Sequence, residues 1–116
     1  MKTETTGVVI NMQNDAMICM IGGDIDHHSA RTIRMRIDED LQSIRPRLLV
    51  LDLSSVSFMD SSGLGLILGR YTKAVELGIL FKVQNPTPQI KRILDLAGTE
   101  RLIKIETRMP AARAAN

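Results

Sequence analysis

The sequence predicts a single α/β domain, in which a mostly parallel sheet of about five strands packs against helices in the order β-β-α-β-α-β-α-β. Short apolar segments alternate with longer segments of helical periodicity, which is typical of parallel strands joined by right-handed crossovers. Only a turn separates the first two apolar segments, which predicts one antiparallel hairpin. The length of 116 residues suits one domain, expected over 1–106, and a tail at 107–116 that is partly disordered or a short helix.

The predicted strands are short, apolar and bounded by turn residues. Gln13-Asn14-Asp15 separates the first two strands, and Gly22-Gly23 ends the second. The third strand is almost wholly apolar, which indicates a strand that is covered on both faces or central in the sheet. The predicted strands are Val8–Met12, Ala16–Ile21, Leu48–Leu53, Ile79–Val83 and Leu102–Ile105.

Three segments repeat apolar residues at the spacing of an α-helix. Pro46 stops the first helix, Gly78 ends the second and Gly98 ends the third. The predicted helices are Ser29–Ile44, Ser61–Leu77 and a third from Pro86 or Thr87 to Ala97. The predicted core-facing stripes are Ile33, Ile37, Leu41 and Ile44 in the first helix, and Leu64, Ile67, Leu68, Tyr71 and Val75 in the second.

Composition and charge exclude several classes of protein. Balanced charge and 44% hydrophobic residues exclude overall disorder. A net charge of +2, and only three aromatic rings (two Phe and one Tyr), do not suit a nucleic-acid partner. No apolar run approaches the ~20 residues of a transmembrane helix, Met1–Gly7 is unlike a secretory signal, and the single Cys19 forms no internal disulfide. We therefore expect a cytoplasmic protein without a membrane partner.

The segment Asp52–Tyr71, DLSSVSFMDSSGLGLILGRY, carries the most informative chemistry. A buried strand runs into Asp60, Ser61, Ser62 and Gly63, where a helix begins. One interpretation is structural, since side-chain oxygens at such a junction cap the free N–H groups of the first turn. The other is functional: an exposed, capping Ser61 hydroxyl lies at the positive end of the helix dipole, where an added phosphate is stabilised. Both interpretations can hold together.

Three segments resemble one family. Phe58–Tyr71, FMDSSGLGLILGRY, closely resembles the signature of the STAS-domain anti-sigma-factor antagonists, above all the sporulation anti-sigma F antagonists of endospore-forming bacteria. Gly22–Ala30, GGDIDHHSA, is similar to the family's segment after the second strand, and Pro88–Gly98, PQIKRILDLAG, resembles its third helix. The likeness spans Val8–Glu106. Only Pro110–Asn116 departs from it, because relatives commonly carry a more apolar final helix there.

The resemblance implies a phosphorylatable binding module without a cofactor, not an enzyme. In that family the first serine after the aspartate, here Ser61, is phosphorylated by the partner anti-sigma factor, which is itself a serine kinase using ATP. The unphosphorylated antagonist binds this kinase and displaces the sigma factor. Phosphorylation ends the binding, and a separate serine phosphatase restores it.

The predicted contacts with the kinase surround Ser61. On a helical wheel Leu66 lies on the solvent face, flanked by Gly65 and Gly69. A glycine inside a helix costs ~1 kcal/mol, so these two favour either the close approach of another backbone or tight packing on the sheet. Asp60 is also expected to orient the loop and cap the helix. The predicted contacts are Asp26, Asp60, Ser62, Gly63, Leu64, Gly65 and Leu66.

The cluster Asp26, His27 and His28 raises the question of a metal site. Adjacent residues point apart, and no cysteine or third histidine is spaced to complete a ligand set. We therefore expect no metal, and predict Asp26, or Ser29 if the helix starts later, as an N-cap.

Four alternatives remain open. The motif Gly63-x-Gly65-x-x-x-Gly69 follows a strand and opens a helix, as in a nucleotide-binding or hydrolysing protein. Its last spacing is one residue too long for a dinucleotide fingerprint. A hydrolase nucleophile at Ser61 or Ser62 lacks the Gly-x-Ser-x-Gly motif, and Asp52 or Asp60 as a receiver-type phospho-acceptor lacks an acidic pair after the first strand. Within the family, the alternative is an antagonist that serves a general stress sigma factor.

Overall fold

A computed structural model describes residues 7–107, and its elements follow the predicted order. Residues 7–107 form five strands, three α-helices and one short 3₁₀ segment, Thr99–Arg101. The strands are β1 Gly7–Gln13, β2 Ala16–Ile25, β3 Leu48–Met59, β4 Leu80–Gln84 and β5 Lys104–Glu106. The helices are α1 His27–Ile44, α2 Ser61–Leu77 and α3 Pro88–Leu96. Most of the predicted tail, residues 108–116, lies outside the described residues.

The five strands form one mixed sheet in the order β1-β2-β3-β4-β5. The hairpin strands β1 and β2 are antiparallel, and every later pair is parallel. Each helix connects a strand to the next strand in this order, always in the same direction across the sheet. Because such connections are nearly always right-handed, all three helices lie on one face of the sheet. A single core cluster accordingly joins Ile33 of α1, Ile67 of α2 and Leu94 of α3 to the sheet.

Strands β2 and β3 are longer than the sequence predicts. The apolar run of β3 ends at Leu53, but the strand continues to Met59 because it still pairs with β2, through residues 22–25. Strand β4 pairs only with Leu48–Asp52, so the far half of β3 has β2 as its single neighbour among the described strands. This explains its exposed serines. The glycine pair predicted to end β2 instead lies within it, where the register shifts.

The predicted stripe of α1 is confirmed for Ile33, Ile37 and Leu41, which are at most 1% exposed. Ile44 is 43% exposed, since it lies in the last turn before Arg45 takes a left-handed conformation. The stripe predicted for α2 is confirmed at Ile67, which is fully buried, and its members Leu64, Leu68 and Tyr71 pack partly buried against the core, whereas Val75 is exposed. The stripe omits four of the buried residues of α2, which are Gly63, Leu66, Arg70 and Ala74.

The charge or small size of most of the omitted residues explains why hydrophobic periodicity misses them. Arg70 is buried because its guanidinium forms an ion pair with Asp38 of α1. Burial, and next the charge of nearby Arg34, lower the pKa of Arg70. Hydrophobic periodicity passes over an arginine at such a position, and it gives glycine and alanine little weight. Val75, which it favours, is 58% exposed.

Candidate functional site

Helices α1 and α2 begin side by side, at the carboxyl ends of β2 and β3. Ile25 and Met59, the last residues of the two strands, are paired in the sheet. The backbone N–H of Asp60 donates a hydrogen bond to the carbonyl oxygen of Ile25 at 3.3 Å. Asp26 and Asp60 therefore stand at equivalent positions on neighbouring strands, and each is the N-cap of the helix that follows.

The start of α1 is closed by a reciprocal capping box. The Asp26 carboxylate accepts a hydrogen bond from the backbone N–H of Ser29 at 3.0 Å, and the Ser29 hydroxyl accepts one from the N–H of Asp26 at 2.9 Å. The same hydroxyl donates to the carbonyl oxygen of Asp24 at 3.0 Å. The hydrogen bond from the Ser29 backbone is the main cause that lowers the pKa of Asp26. The prediction of Asp26 as the N-cap is confirmed.

The start of α2 is capped by Asp60 alone. Its carboxylate accepts a hydrogen bond from the backbone N–H of Ser62 at 2.7 Å. Ser61 is the first helical residue and is exposed, and among residues 7–107 its hydroxyl has no hydrogen-bond partner. The expectation that Ser61 caps the helix is therefore wrong, because Asp60 already fills that position. The Ser61 oxygen is left accessible to a reagent from outside.

Gly63 fixes how closely α2 approaches the end of β3. A Cβ atom at this position would lie 2.6 Å from the Cβ of Met59 and 2.9 Å from its sulfur. Since Met59 is itself buried, no larger residue fits between the helix and the strand. Gly63 is predicted as a partner contact, but the structure buries it and gives it a packing role.

The remaining predicted contacts on α2 differ in exposure. Leu64 is half-buried and packs against the core, whereas Gly65 is exposed. Leu66 is only 4% exposed, so its predicted place on the solvent face is wrong: it points into the core beside Ile67. A Cβ atom added at Gly65 or at Gly69 would meet no atom of residues 7–107 within 4 Å, which excludes tight packing on the sheet as the reason for either glycine.

A groove of about 390 Å³ lies between α1 and α2, next to these helix starts. Helix α2 contributes a serine, a glycine and a leucine, and α1 contributes two arginines, a histidine and an alanine. The lining residues are Ser62, Gly65 and Leu66 from α2, and His27, Ala30, Arg31 and Arg34 from α1. The groove therefore adjoins the exposed start of α2 and presents positive charge.

The two histidines do not gather a metal-binding set. His27 and His28 are exposed, and their rings meet edge to face with centroids 5.9 Å apart. In the part of the chain that the structure describes, no three His, Cys, Asp or Glu side chains are grouped as metal ligands. No described helix is both long enough and apolar enough to cross a membrane.

Asp52 forms a polar cluster that sequence reasoning missed. Its carboxylate accepts hydrogen bonds from the Ser54 hydroxyl at 2.6 Å, from the Gln84 amide at 2.8 Å and from the Asn85 amide at 3.3 Å. Burial acts to raise the pKa of Asp52, but the hydrogen bonds outweigh it and hold the pKa below its ordinary value. The carboxylate is thus occupied in joining β3 to β4, which does not suit a phospho-acceptor.

The glycines of the proposed nucleotide motif do not form a phosphate-binding loop. Gly63, Gly65 and Gly69 all lie within α2, and the backbone N–H of Gly63 already donates to the Asp60 carbonyl oxygen at 3.0 Å. A phosphate loop needs a run of free N–H groups before its helix. The spacing alone therefore gives no support to a nucleotide site.

Comparison with known sequences gives the following matches. The sequence profile of the STAS domain matches residues 7–112. An anti-sigma F factor antagonist of Paenibacillus polymyxa is 38% identical over 89 residues, which cover 77% of this chain and 76% of the relative. An anti-sigma-B factor antagonist of Bacillus subtilis (strain 168) is 29% identical over 99 residues, which cover 83% of this chain and 85% of the relative.

Two solved structures share the fold. The anti-sigma factor antagonist SpoIIAA in its unphosphorylated form superposes with a TM-score of 0.77 at 22% identity, covering 92% of each chain. The Bacillus cell fate determinant SpoIIAA in its phosphorylated form gives a TM-score of 0.72 at 22% identity, covering 93% of this chain and 96% of the other. At this identity the likeness establishes the arrangement of strands and helices.

Proposed function

The chain belongs to the STAS domain family, and from that premise we propose that it is an anti-sigma-factor antagonist whose partner binding is switched off by phosphorylation of Ser61. It acts as a binding module, not as an enzyme. The unphosphorylated chain binds an anti-sigma-factor serine kinase and so releases the sigma factor. The relative in Paenibacillus polymyxa, named an anti-sigma F factor antagonist, supports this function.

The observation that carries the proposal is the unpartnered hydroxyl of Ser61. It is exposed in the first turn of α2, and the helix is capped without it by Asp60. Modification of this oxygen therefore breaks no hydrogen bond of the described fold. A phosphate at a helix start is also favoured by the helix dipole, so we expect the domain to stay folded when it is phosphorylated.

In the proposed modification the partner kinase supplies ATP and the base. The Ser61 Oγ attacks the γ-phosphorus, a new O–P bond forms, the bond to the β-phosphate oxygen breaks, and ADP leaves. The hydroxyl proton passes to the base of the kinase. A separate serine phosphatase hydrolyses the ester with water, which releases inorganic phosphate and restores the hydroxyl.

Charge explains how the phosphate ends binding. The phosphate adds a charge of about −1.5 to −2 at pH 7. The surface already carries the carboxylate of Asp60 and, on the adjacent helix start, that of Asp26. An interface built on this surface would then have to bury a dianion beside like charges. A loss of about 3 kcal/mol, roughly a hundredfold in affinity, requires only one or two such contacts.

We propose that the contact surface comprises the exposed parts of both helix starts. Asp26, Asp60 and Gly65 are exposed there, and Ser62 and Leu64 are partly exposed. Gly63 and Leu66 support this surface from beneath, because both are buried.

A second candidate function is antagonism in a general stress response. The likeness to the anti-sigma-B factor antagonist of Bacillus subtilis favours it, at 29% identity against 38% for the anti-sigma F antagonist. Purified anti-sigma F and anti-sigma-B factors, titrated separately with this chain, distinguish the two. We expect the tighter complex with the anti-sigma F factor, and a preference for the anti-sigma-B factor would reverse the assignment.

The test of the switch is calorimetric titration of the cognate anti-sigma factor with the wild type, Ser61→Ala and Ser61→Asp. We expect Ser61→Ala to bind like the wild type and Ser61→Asp to bind about tenfold or more weakly, since a carboxylate carries part of the charge of a phosphate. Thr72→Asp is the matched control, because Thr72 is exposed on the same helix away from its start. Equal affinities for the Ser61→Ala and Ser61→Asp variants would count against the charge switch.

A further inference from the structure

The groove between α1 and α2 carries two arginines that the described fold leaves without anionic partners. Arg31 and Arg34 both line the groove and are both exposed. Within residues 7–107 neither makes an ion pair or a hydrogen bond. Arg70, buried close to Arg34, shows the contrast, since its charge is balanced by Asp38. The positive charge of the groove is therefore available to a molecule from outside.

Gly65 gives the groove an open wall. A side chain at this position would meet no atom of the described chain within 4 Å, so the fold itself does not require a glycine there. Glycine in a helix interior is less stable than alanine, which makes it an unfavourable choice on structural grounds alone. A glycine at a groove wall does, however, let a second backbone approach the helix closely.

We propose that this groove binds an acidic segment of the anti-sigma factor, with its carboxylates on Arg31 and Arg34 and its backbone beside Gly65. The inference rests on the proposed function and adds the chemistry of the contact. Ser62 belongs both to the groove and to the start of α2, so the segment would continue the surface around Ser61. A volume of about 390 Å³ lies in the range of clefts that bind ligands in proteins.

Charge complementarity selects the acidic segment over other occupants. Two guanidinium groups recognise carboxylates through paired N–H donors. Ala30 and Leu66, at most 9% exposed, give the lining a small apolar part, which suits a peptide with both acidic and aliphatic side chains. A basic segment would instead meet two unbalanced like charges, and that repulsion would exclude it.

The first experiment reverses the charges of the groove one at a time. Arg31→Glu and Arg34→Glu are compared with Arg36→Glu. This control makes the same charge change at an exposed position of α1 that lies outside the groove. Titration of the cognate anti-sigma factor is expected to show about tenfold or greater weakening for the two groove variants and little change for Arg36→Glu. The affinity of the wild type should also fall with added salt more steeply than that of the groove variants.

The second experiment fills the groove without changing charge. Gly65→Met projects a side chain into the groove, whereas Gly69→Met projects one into open space a turn further along α2. We expect the first variant to lose binding by about tenfold or more and the second to retain it, with both folded by circular dichroism.

Each outcome decides between the proposals. If the wild type does not bind its anti-sigma factor, the proposed function fails, and this inference fails with it. If the wild type binds and the groove variants bind equally well, the function stands and the groove is overturned as its contact. If Arg36→Glu weakens binding as much as the groove variants do, net charge alone accounts for the effect, and the groove is overturned as the contact.

Discussion

The first turns of α1 and α2 share an aspartate N-cap but use their serines differently. In α1 the Ser29 hydroxyl accepts from the N–H of Asp26 and donates to the carbonyl of Asp24, so it is held by the fold. In α2 the Ser61 hydroxyl has no partner among the described residues. A hydroxyl that the fold uses cannot be modified without weakening the helix. The proposed switch therefore lies at the helix start whose serine hydroxyl the described fold does not use.

The difference originates at the third residue after each cap. That residue is Ser29 in α1, where it closes the capping box, and Gly63 in α2, where a side chain would collide with Met59. A capping box at α2 is therefore excluded by packing. The N–H of Asp60 bonds instead to the carbonyl of Ile25, which ties the two helix starts together.

The largest expected effect comes from making α2 resemble α1. Gly63→Ser would supply the hydroxyl of a capping box, but its Cβ would lie 2.6 Å from that of Met59. We expect a loss of about 1–3 kcal/mol in the free energy of unfolding, measured in urea, because the helix must move off the strand. Gly65→Ala is the matched control, with open space around its Cβ, and should stabilise the domain by up to about 1 kcal/mol. A Gly63→Ser variant as stable as the wild type would show that the packing at Met59 does not exclude the box.

A smaller effect separates the two serines directly. Ser29→Ala removes the hydroxyl of the capping box and should lower the free energy of unfolding by about 1 kcal/mol. Ser61→Ala removes a hydroxyl without a described partner and should change it by less than about 0.5 kcal/mol. Equal losses in the two variants, measured by the same urea titrations, would remove the basis of the comparison.

The smallest expected effect is on the stability of the fold at acidic pH. The pKa of Asp26 lies below its ordinary value of 3.8, chiefly because the backbone N–H of Ser29 bonds to the ionised form. A group whose pKa is lowered by folding stabilises the fold above its unfolded pKa, and that stabilisation is lost as the pH falls through the folded pKa. The stability difference between the wild type and Asp26→Asn should therefore be constant near neutral pH and shrink below pH 3.8. A difference that stays unchanged in acid would contradict the contribution of the ionised Asp26.

Local sequence signals predicted much of the fold. The element order, the hairpin turn, both aspartate caps and the bounds of α2 follow from patterns within a few residues, and the structure confirms them. The bounds of β4, α3 and β5 differ from the predictions by one or two residues at each end. Turn chemistry, capping and short-range periodicity are therefore sufficient for the architecture.

Long-range contacts account for the errors. The burial of Arg70 depends on Asp38, and the cluster at Asp52 depends on Gln84, 32 residues away in each case. The length of β3 depends on its pairing with β2. No local pattern contains these partners. The buried residues that the α2 stripe omits, and the capping role wrongly given to Ser61, could therefore be found only in three dimensions.

The most direct test of the central claim is the intact mass of the protein after incubation with its cognate anti-sigma factor and ATP. The wild type should gain one phosphate, and so should Ser29→Ala and Ser62→Ala, because neither variant removes the free hydroxyl. Ser61→Ala should gain none. A phosphate that persists in Ser61→Ala, or a wild type that gains none, would contradict the claim that the unpartnered Ser61 hydroxyl is the switch.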